Sequence, residues 1–341
     1  MKDAGFALSL PLLLEAMEMQ SALDPAGSGA RQVSSLWWLY FWILTAIFVA
    51  VLICTCIAIG RARRGPLAIQ PNEPPLPESQ PTERRVFAVV AACLAMTIAI
   101  LFALLALDIF TGRSVYALTS EPHPLSLKVI GHQWWWEVHY QDADHPENLM
   151  ITANEMHIPV GKVVRLELVS TDVIHSFWVP NISGKKDLIP GHPTKTWIKA
   201  EKSGTFRGQC AEFCGHQHAH MRLEFVAESP AKFGKWLAQA RQNARPPATP
   251  SEQRGQRVFL ANQCIMCHTI EGTPARATLG PDLTHFGSRT RLAAGSFPNT
   301  RGYLAGWIAN PQNIKPGVKM PPNTLGPDDL NALVDYLESL K

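Results

Sequence analysis

The sequence predicts a multidomain membrane protein with three unlike parts: a two-helix transmembrane hairpin, an all-β domain and an all-α domain. Two long runs without a charged residue predict the hairpin. Short runs of alternating polar and apolar residues, separated by Gly, Pro and Asp, predict the β domain. Capped helical segments around a C-x-x-C-H motif predict the α domain. A chain of 341 residues is long enough for all three.

The composition excludes several classes of protein. Charged residues make up 17% of the chain, against roughly 25% in average soluble proteins. Ten Trp, fourteen Phe and a net charge of +3 are incompatible with a chain that is mainly disordered. The balance of 31 basic and 28 acidic residues builds no strong field for binding nucleic acid. Seven Cys, an odd number, argue against a framework made of disulfides alone.

The two uncharged runs cover residues 36–59 and 86–107, which are 24 and 22 positions long. A helix of about 20 apolar residues spans the hydrocarbon core of a bilayer, so each run is predicted to cross a membrane. The alternative is a pair of buried core helices, which rarely extend this far without a charge. Aromatic residues cluster at the outer end of the first run, as in an interfacial belt: Trp37, Trp38, Tyr40 and Trp42. Three small thiols inside the runs are expected to be buried and without chemistry: Cys54, Cys56 and Cys93.

The loop between the runs predicts the orientation in the membrane. It has a Pro-rich centre and carries five arginines: Arg61, Arg63, Arg64, Arg84 and Arg85. The positive-inside rule places this loop in the cytoplasm, and therefore both termini and everything after about Thr111 outside. The segment Phe6–Leu14 resembles the apolar core of a signal peptide, which would help to export residues 1–30. Glu15 and Glu18, which follow it, make a poor cleavage region.

After the second run the chain is predicted to form strands, at residues 162–170, 175–180, 195–200 and 221–228. Several short strands without helical periodicity predict an all-β Greek-key barrel or sandwich. One dense stretch, residues 208–221, carries a candidate metal site instead of an alternating pattern.

Two thiols, an imidazole and a thioether lie within twelve positions of this stretch: Cys210, Cys214, His218 and Met221. Copper prefers such a soft ligand set, whereas sites for hard cations use carboxylates and structural zinc sites spread two ligand pairs over two knuckles. A copper site also needs an imidazole from elsewhere in the chain, and His175 is the candidate. The alternative is a Cys210–Cys214 disulfide with surface histidines, which an oxidising compartment would allow.

The stretch resembles the binuclear copper loop, called CuA, of subunit II of haem–copper cytochrome c oxidases, whose pattern is C-x-E-x-C-x-x-x-H-x-x-M. Every position of the pattern is filled, and His175 matches the remaining family histidine: Cys210, Glu212, Cys214, His218 and Met221. The resemblance implies two thiolates that bridge both coppers, one His on each copper, and Met221 and the Glu212 carbonyl as weak outer ligands. It also implies that the Glu212 side chain helps to bind magnesium at the boundary with the catalytic subunit. His216 and His220 match no family ligand and are expected to be exposed.

The aromatic stretch GHQWWWEVHY, residues 131–140, is also similar to this family. Successive side chains of a strand alternate between its faces, so the three Trp cannot all face one core and at least one is expected to be exposed. The resemblance implies that Trp134 is the surface residue through which electrons reach copper; packing of the rings against membrane-side neighbours is the alternative.

The similarity extends over roughly residues 21–240 and implies that the β domain is cupredoxin-like. Glu83 resembles the family's acidic residue at a proton-channel entrance, a match that rests on one residue. His192 stands where many relatives have Arg, which weakens any proton-exit role at this position.

The motif CIMCH, with Cys264, Cys267 and His268, is the c-type haem attachment pattern. Two thiols add to the haem vinyl groups and the adjacent imidazole binds iron. Met320 is expected to be the distal ligand, because Met is rarely placed beside two Pro residues for core packing. Met266 and His285 are the competitors, although Met266 sits inside the attachment loop and cannot turn back to the distal face.

Helices are predicted around this motif at residues 251–262, 303–310 and 327–340. Residues 251–341 as a whole resemble a small class I cytochrome c. A His/Met axial pair raises the haem potential and suits an electron carrier better than an oxygen binder.

These features give the expected domain boundaries: 1–30 for the exported segment, 31–115 for the transmembrane hairpin, 116–240 for the CuA domain, 241–250 for a short Pro-rich linker and 251–341 for the cytochrome c domain. Residues 121–230 carry 10 basic and 13 acidic residues, a net of −3, and residues 251–341 carry 9 and 7, a net of +2. The opposite charges favour electrostatic docking of the haem domain on the copper domain, with the linker supplying a high effective concentration.

The resemblance implies subunit II of a caa-type cytochrome c oxidase. Electrons would pass from an external c-type cytochrome through haem c and the two CuA coppers to subunit I, which reduces oxygen and pumps protons; subunit III is a further expected partner. The expected location is the bacterial inner membrane, with both metal domains on the periplasmic side. All twelve His lie outside the uncharged runs, so no catalytic residue is expected in this chain.

Three other functions fit parts of the sequence. The main alternative is a stand-alone membrane-anchored electron carrier or copper-delivery protein. A quinol oxidase subunit would lack the copper ligands. Nitrous oxide reductase places the same copper site after a long propeller domain, which this chain cannot contain.

Overall fold

The structure is a computed structural model that describes residues 20–63, 80–116, 124–141 and 149–341. The chain divides into two compact units, of which one is residues 32–117 and the other comprises the residues on either side. The signal-peptide core of the sequence and the Pro-rich centre of the first loop lie outside the described residues.

Two long helices, α1 (Ser28–Ala62) and α2 (Gln80–Tyr116), contain the uncharged runs. Their most apolar windows are 0% and 6% buried, whereas the core helix of a soluble protein would be mostly covered. Both are long and apolar enough to cross a bilayer, which confirms the predicted hairpin helices. The expectation of buried thiols is wrong for the part of the chain that the structure describes: Cys54, Cys56 and Cys93 are exposed, because no other described residue covers them.

The barrel domain, defined as residues 124–228, has two five-stranded sheets in its described part. The strands are β1 (Leu125–His132), β2 (Trp135–Gln141), β3 (Met150–Ala153), β4 (Glu155–Pro159), β5 (Val164–Ser170), β6 (His175–Trp178), β7 (Lys186–Leu188), β8 (Thr194–Ile198), β9 (Gly204–Cys210) and β10 (Arg222–Glu228). One sheet has the order β3-β2-β1-β5-β8 and the other the order β4-β10-β9-β6-β7. The pairs β1–β5 and β4–β10 are parallel and the other neighbours are antiparallel.

Alternation along the strands builds the core between the two sheets. In β10 the buried residues are Leu223, Phe225 and Ala227, and the residues between them are only partly covered. This period of two is what a sheet with one covered face requires. The all-β prediction is confirmed, and the arrangement is that of a cupredoxin-like half-barrel.

The helical domain, defined as residues 250–341, contains α4 (Pro250–Ala261), α5 (Arg301–Ala309), α6 (Pro327–Ser339) and a short hairpin of β11 (Arg291–Leu292) and β12 (Phe297–Pro298). The three helices agree with the predicted segments to within two residues at each end. A further helix, α3 (Pro230–Ala240), follows the barrel domain. Thr249 caps α4, because its side chain accepts a hydrogen bond from the Glu252 amide.

The segment between α3 and α4 is held against the helical domain. Arg245 Nε donates to the Ser339 carbonyl at 2.8 Å, and the Ala244 amide donates to the Glu271 carbonyl at 3.0 Å. The predicted Pro-rich linker is therefore hydrogen-bonded to the helical domain. Its last residue, Pro250, already belongs to α4.

Gly255 sets how closely α4 approaches α6. A Cβ atom added there would lie 2.0 Å from the Ala332 carbonyl oxygen and 2.7 Å from Tyr336 Cβ. We expect Gly255→Ala to destabilise the helical domain by about 1–3 kcal/mol, since the helices must separate.

The matched control is Gly234→Ala in α3, where nothing lies within 4 Å of the added atom. That change should be neutral or stabilise the helix by up to about 1 kcal/mol. Thermal unfolding of the full chain, followed by circular dichroism, measures both; equal midpoints for the two variants would contradict the packing argument.

Candidate metal and haem sites

The barrel brings the cysteine loop, residues 208–221, against a histidine from the neighbouring strand. β9 ends at Cys210 and β10 begins at Arg222, so the loop joins two antiparallel neighbours. On the other side of β9, Phe177 of β6 pairs with Cys210. His175 lies two residues before Phe177 and therefore points to the same face.

Six predicted copper ligands converge at this place. Cys210 Sγ lies 3.8 Å from Cys214 Sγ and 3.8 Å from His175 Nδ1. Cys214 Sγ lies 3.5 Å from His218 Nδ1 and 3.9 Å from Met221 Sδ. The Glu212 carbonyl oxygen is 3.2 Å from Cys210 Sγ. A disulfide needs an S–S distance of about 2.05 Å, so the alternative of a Cys210–Cys214 bridge does not hold in this structure.

The donor set fits a copper site in its chemistry as well as its position. His175, Cys210, Cys214 and Met221 are buried, and one ligand atom from each of the first three lies within 4.8 Å of the others. Two sulfurs, two imidazole nitrogens and a thioether form the soft set that copper prefers.

Asp172 orients the buried histidine. Its Oδ1 accepts a hydrogen bond from His175 Nε2 at 2.8 Å, so that in the neutral ring the Nδ1 lone pair faces the sulfurs. Burial alone would raise the pKa of Asp172, but hydrogen bonds from His175 and from the Gln133 and Val173 amides hold it at about 2. Burial opposes the charged form of His175, yet its bonds to Asp172 and Cys210 raise its pKa.

A hydrogen bond joins the two thiols, whose sulfurs are 3.8 Å apart. This bond lowers the pKa of Cys210 to about 3 and raises the pKa of Cys214. Metal binding needs both sulfurs deprotonated, so loading of the site releases protons and weakens at low pH.

Replacing Asp172 by Asn should weaken copper retention about 10–100-fold, because the ring of His175 loses the carboxylate that orients it. Copper bound per chain, measured after competition with a chelator, tests this. The control is Glu228→Gln, which removes a similar carboxylate–histidine pair, with His157 at 3.0 Å, elsewhere in the barrel. If both variants retain copper as the unchanged chain does, Asp172 does not support the site.

A cavity of about 670 Å³ opens in the helical domain and contains the predicted haem ligands on its walls: Cys264, Cys267, His268 and Met320. His268 Nδ1 donates to the Pro281 carbonyl at 2.8 Å, so its Nε2 lone pair is available to a metal. Burial lowers the pKa of His268, which keeps the ring neutral, as an iron ligand must be.

Close packing around His268 shows how the cavity is built. A Cβ atom at Gly280 would lie 2.7 Å from His268 Cε1, so the loop that holds the ring requires glycine. Opposite, Gln312 Nε2 donates to the carbonyls of Val318 and Met320, at 2.7 and 2.9 Å, and holds the methionine loop. Arg289 lines the cavity with a buried Nε that has no partner among the described residues. The thiols, the imidazole, the thioether and this cation fit a covalently bound, anionic haem.

The two competing distal ligands are less well placed than Met320. Met266 borders the cavity but is 67% exposed at the attachment loop. His285 Nε2 contacts the Gln242 carbonyl at 3.0 Å, and the residue does not line the cavity.

At least one of the three adjacent Trp was expected to be exposed, but none of them is. Trp134 and Trp136 are buried, and Trp135 is half-buried and stacks on His132 at 4.3 Å. The prediction failed for Trp134 because the helical domain covers it, with Gly317 beside its ring. Trp134 also lines the cavity, and its indole Nε1 donates to the Cys214 carbonyl at 2.9 Å. It therefore lies between the two candidate sites.

The remaining predicted residues are exposed or partly exposed. Glu212 has a half-exposed side chain, 3.8 Å from Lys185 Nζ, and Glu83 is exposed in the first turn of α2. His192, His216 and His220 are exposed, as expected of the last two.

Sequence reasoning missed three residues that position these sites. Asp172 had a signal, since a carboxylate three residues before a candidate ligand is well placed to orient it. Gly280 and Lys315 had none, because their roles depend on tertiary contacts, with His268 and with Trp134.

Comparison with known proteins agrees with the two sites. Residues 125–228 match the family model "Cytochrome C oxidase subunit II, periplasmic domain", and residues 252–341 match the model "Cytochrome c".

Among similar proteins, cytochrome c oxidase subunit 2 of Alkalihalophilus pseudofirmus is 33% identical over 334 residues, which are 95% of this chain and 92% of that one. Subunit 2 of Bacillus sp. PS3 is 29% identical over 270 residues, covering 75% and 73% of the two chains. The crystal structure of the periplasmic domain of subunit II of cytochrome oxidase of Bradyrhizobium japonicum covers 34% of this chain and 93% of its own, with 35% identity and a TM-score of 0.32. The chain therefore belongs to the cytochrome c oxidase subunit II family and carries a cytochrome c domain at its C-terminal end.

Proposed function

We propose that this chain receives electrons at its helical domain and passes them through its barrel domain to the oxygen-reducing site of subunit I. Membership of the family makes the chain a subunit of an oxidoreductase complex with a role in electron transfer. The observation that carries the finer proposal is the position of Trp134, which lines the haem-sized cavity and donates a hydrogen bond to a residue of the cysteine loop.

The proposed ligands follow from the two sites. In the helical domain, Cys264 and Cys267 would bind haem c covalently, with His268 and Met320 as axial ligands. In the barrel domain, the copper pair would be held by the converging set: His175, Cys210, Glu212 through its carbonyl, Cys214, His218 and Met221. When bound, the two groups supply one-electron redox centres.

The chain's own residues connect the two sites. Trp134 Nε1 bonds to the Cys214 carbonyl, and the neighbouring Gln133 Nε2 bonds to the same oxygen at 2.7 Å. This doubly bound carbonyl belongs to a candidate copper ligand, so Trp134 is the proposed point of electron passage. Its burial prevents a separate protein from docking directly on its ring.

Several further parts of the proposal rest on the family resemblance. The boundaries would be those given by the sequence, with the hairpin at 31–115, the copper domain at 116–240 and the cytochrome c domain at 251–341. The chain would lie in a bacterial inner membrane, with both metal domains on the periplasmic side. Glu212 would contribute to a magnesium site shared with subunit I, and Glu83 would stand at a proton-channel entrance in the pumping complex. A c-type cytochrome would be the donor, and subunit III a further partner.

Purification of the chain from membranes through an affinity tag tests the proposed function. A large haem-containing polypeptide should co-purify, and the complex should consume oxygen when it is supplied with reduced c-type cytochrome. A chain that comes out of membranes alone, with copper and haem but without an oxidase, would overturn the proposal and favour the stand-alone electron carrier.

A further inference from the structure

One lysine of the helical domain reaches into the barrel domain. Lys315 is 2% exposed, and its ammonium group donates to three backbone carbonyls. The acceptors are Trp134 O at 3.0 Å and His220 O at 2.8 Å in the barrel domain, and Ala293 O at 3.2 Å in its own domain. An ammonium has three donors, so all of them are used.

The burial of this group is costly and needs a reason. Lysine is almost never fully buried unless it is paired with an acid. The ion pairs found among the described residues do not include Lys315, so carbonyl dipoles alone replace its hydration. Burial lowers the pKa of Lys315 to about 7, because loss of hydration disfavours the charged form. An apolar side chain of similar length would avoid that cost.

The two barrel-domain carbonyls that accept from Lys315 belong to residues beside the candidate sites. Trp134 lies between the two candidate sites, and His220 precedes Met221 in the cysteine loop. Hydrogen bonds from one ammonium group therefore connect the backbone of Trp134 and the backbone of the cysteine loop to the helical domain.

Backbone contacts surround this lysine on both sides. Gln217 Nε2 donates to the Pro316 carbonyl at 2.8 Å, and the Arg222 amide donates to the Ala294 carbonyl at 3.1 Å. Ala293 and Ala294 adopt φ values of 53° and 55°, a left-handed conformation that is unfavourable for alanine. The bonds that hold these two carbonyls toward Lys315 and Arg222 maintain that conformation.

We propose that Lys315 is the positioning residue that fixes the helical domain over Trp134 and the cysteine loop in a single preformed arrangement. The proposal rests on the electron-transfer function above and gives it a mechanism that differs from electrostatic docking of a tethered domain. Exposed charges contribute little to the contact: Lys319, with a side chain 72% exposed, is 3.7 Å from Asp172. Salt screens exposed charges strongly and buried ones weakly.

The test measures electron transfer from haem c to copper in the purified complex, after light-induced reduction of the haem. In the unchanged chain the rate should be independent of ionic strength and of solvent viscosity. In Lys315→Met the rate should fall about tenfold or more, because hydrogen bonds to a charged donor are lost and the domains must find each other. That rate should also decrease with added glycerol, a dependence that damage to either metal site alone would not produce.

Lys341→Met is the matched control, since it removes an exposed lysine of the same domain that does not line the cavity. It should leave the rate and its viscosity dependence unchanged. Gly295→Ala disturbs the same contact from another position, because the added Cβ would lie 2.9 Å from Arg222 Cβ at a φ of 72°. It should reproduce the viscosity dependence. If Lys315→Met fails to retain haem or copper, the kinetics of Gly295→Ala test the positioning role in its place.

A Lys315→Met complex that keeps both centres and transfers electrons at the unchanged rate would overturn the positioning role. If Lys315→Met loses a centre, a Gly295→Ala complex with unchanged kinetics would do the same. A complete lack of haem-to-copper transfer in the unchanged chain would instead overturn the proposed function.

Discussion

Replacing Cys264 and Cys267 together by Ala is expected to remove all covalently bound haem and to abolish oxygen consumption driven by reduced c-type cytochrome. The two thiols line the cavity next to His268 and are the sulfurs available for thioether bonds there. Without haem, an external donor cannot bypass the helical domain, because that domain covers Trp134. Copper should remain, since its ligands belong to the barrel domain.

Extraction with acid and acetone, followed by a visible spectrum of the protein, measures the covalent haem, and a metal assay measures the copper. Cys93→Ala is the control, because this exposed thiol of α2 is assigned no chemistry. Covalent haem that survives in the double variant would contradict the assignment. Undiminished oxygen consumption would contradict the proposed route through the helical domain.

Replacing Cys214 by Ser is expected to eliminate copper binding and electron delivery to subunit I, while the covalent haem remains. Cys214 Sγ lies within 3.9 Å of ligand atoms from Cys210, His218 and Met221, so it is the common neighbour of the set. A hydroxyl is a hard and weakly acidic ligand that cannot replace a soft thiolate on copper. Electrons from the donor should then accumulate on the haem.

The near-infrared absorption of the copper pair and the copper content per chain give the result, with Cys54→Ser as a control in α1. The haem of the Cys214→Ser complex should be reduced by the donor and stay reduced in the presence of oxygen. Rapid reoxidation of that haem would show that electrons reach subunit I without the copper pair, which would contradict the proposed path.

The parts of the fold that depend on local pattern could be predicted from the sequence. The uncharged runs, the alternation in β10 and the capped helices each extend over a few turns or one strand. The loop ligands lie within twelve positions, and His175 is identified from its place at the start of an apolar strand and from the family resemblance.

Contacts between the barrel and helical domains could not be predicted. The burial of Trp134 and the bonds of Lys315 join residues up to 181 positions apart, and nothing local marks them. Net charge pointed toward docking by opposite surfaces, but a sum of charges does not say which groups meet. The structure instead places carbonyls around a single buried ammonium group.

The proposed function requires electrons to cross from the helical domain to the barrel domain within one chain. This step can be followed in the purified complex by reducing haem c with a light pulse and recording haem and copper absorption in time. Haem oxidation and copper reduction are expected to proceed at one rate that does not depend on protein concentration. Copper that is reduced while the haem is unchanged, or a rate that rises with concentration, would contradict it.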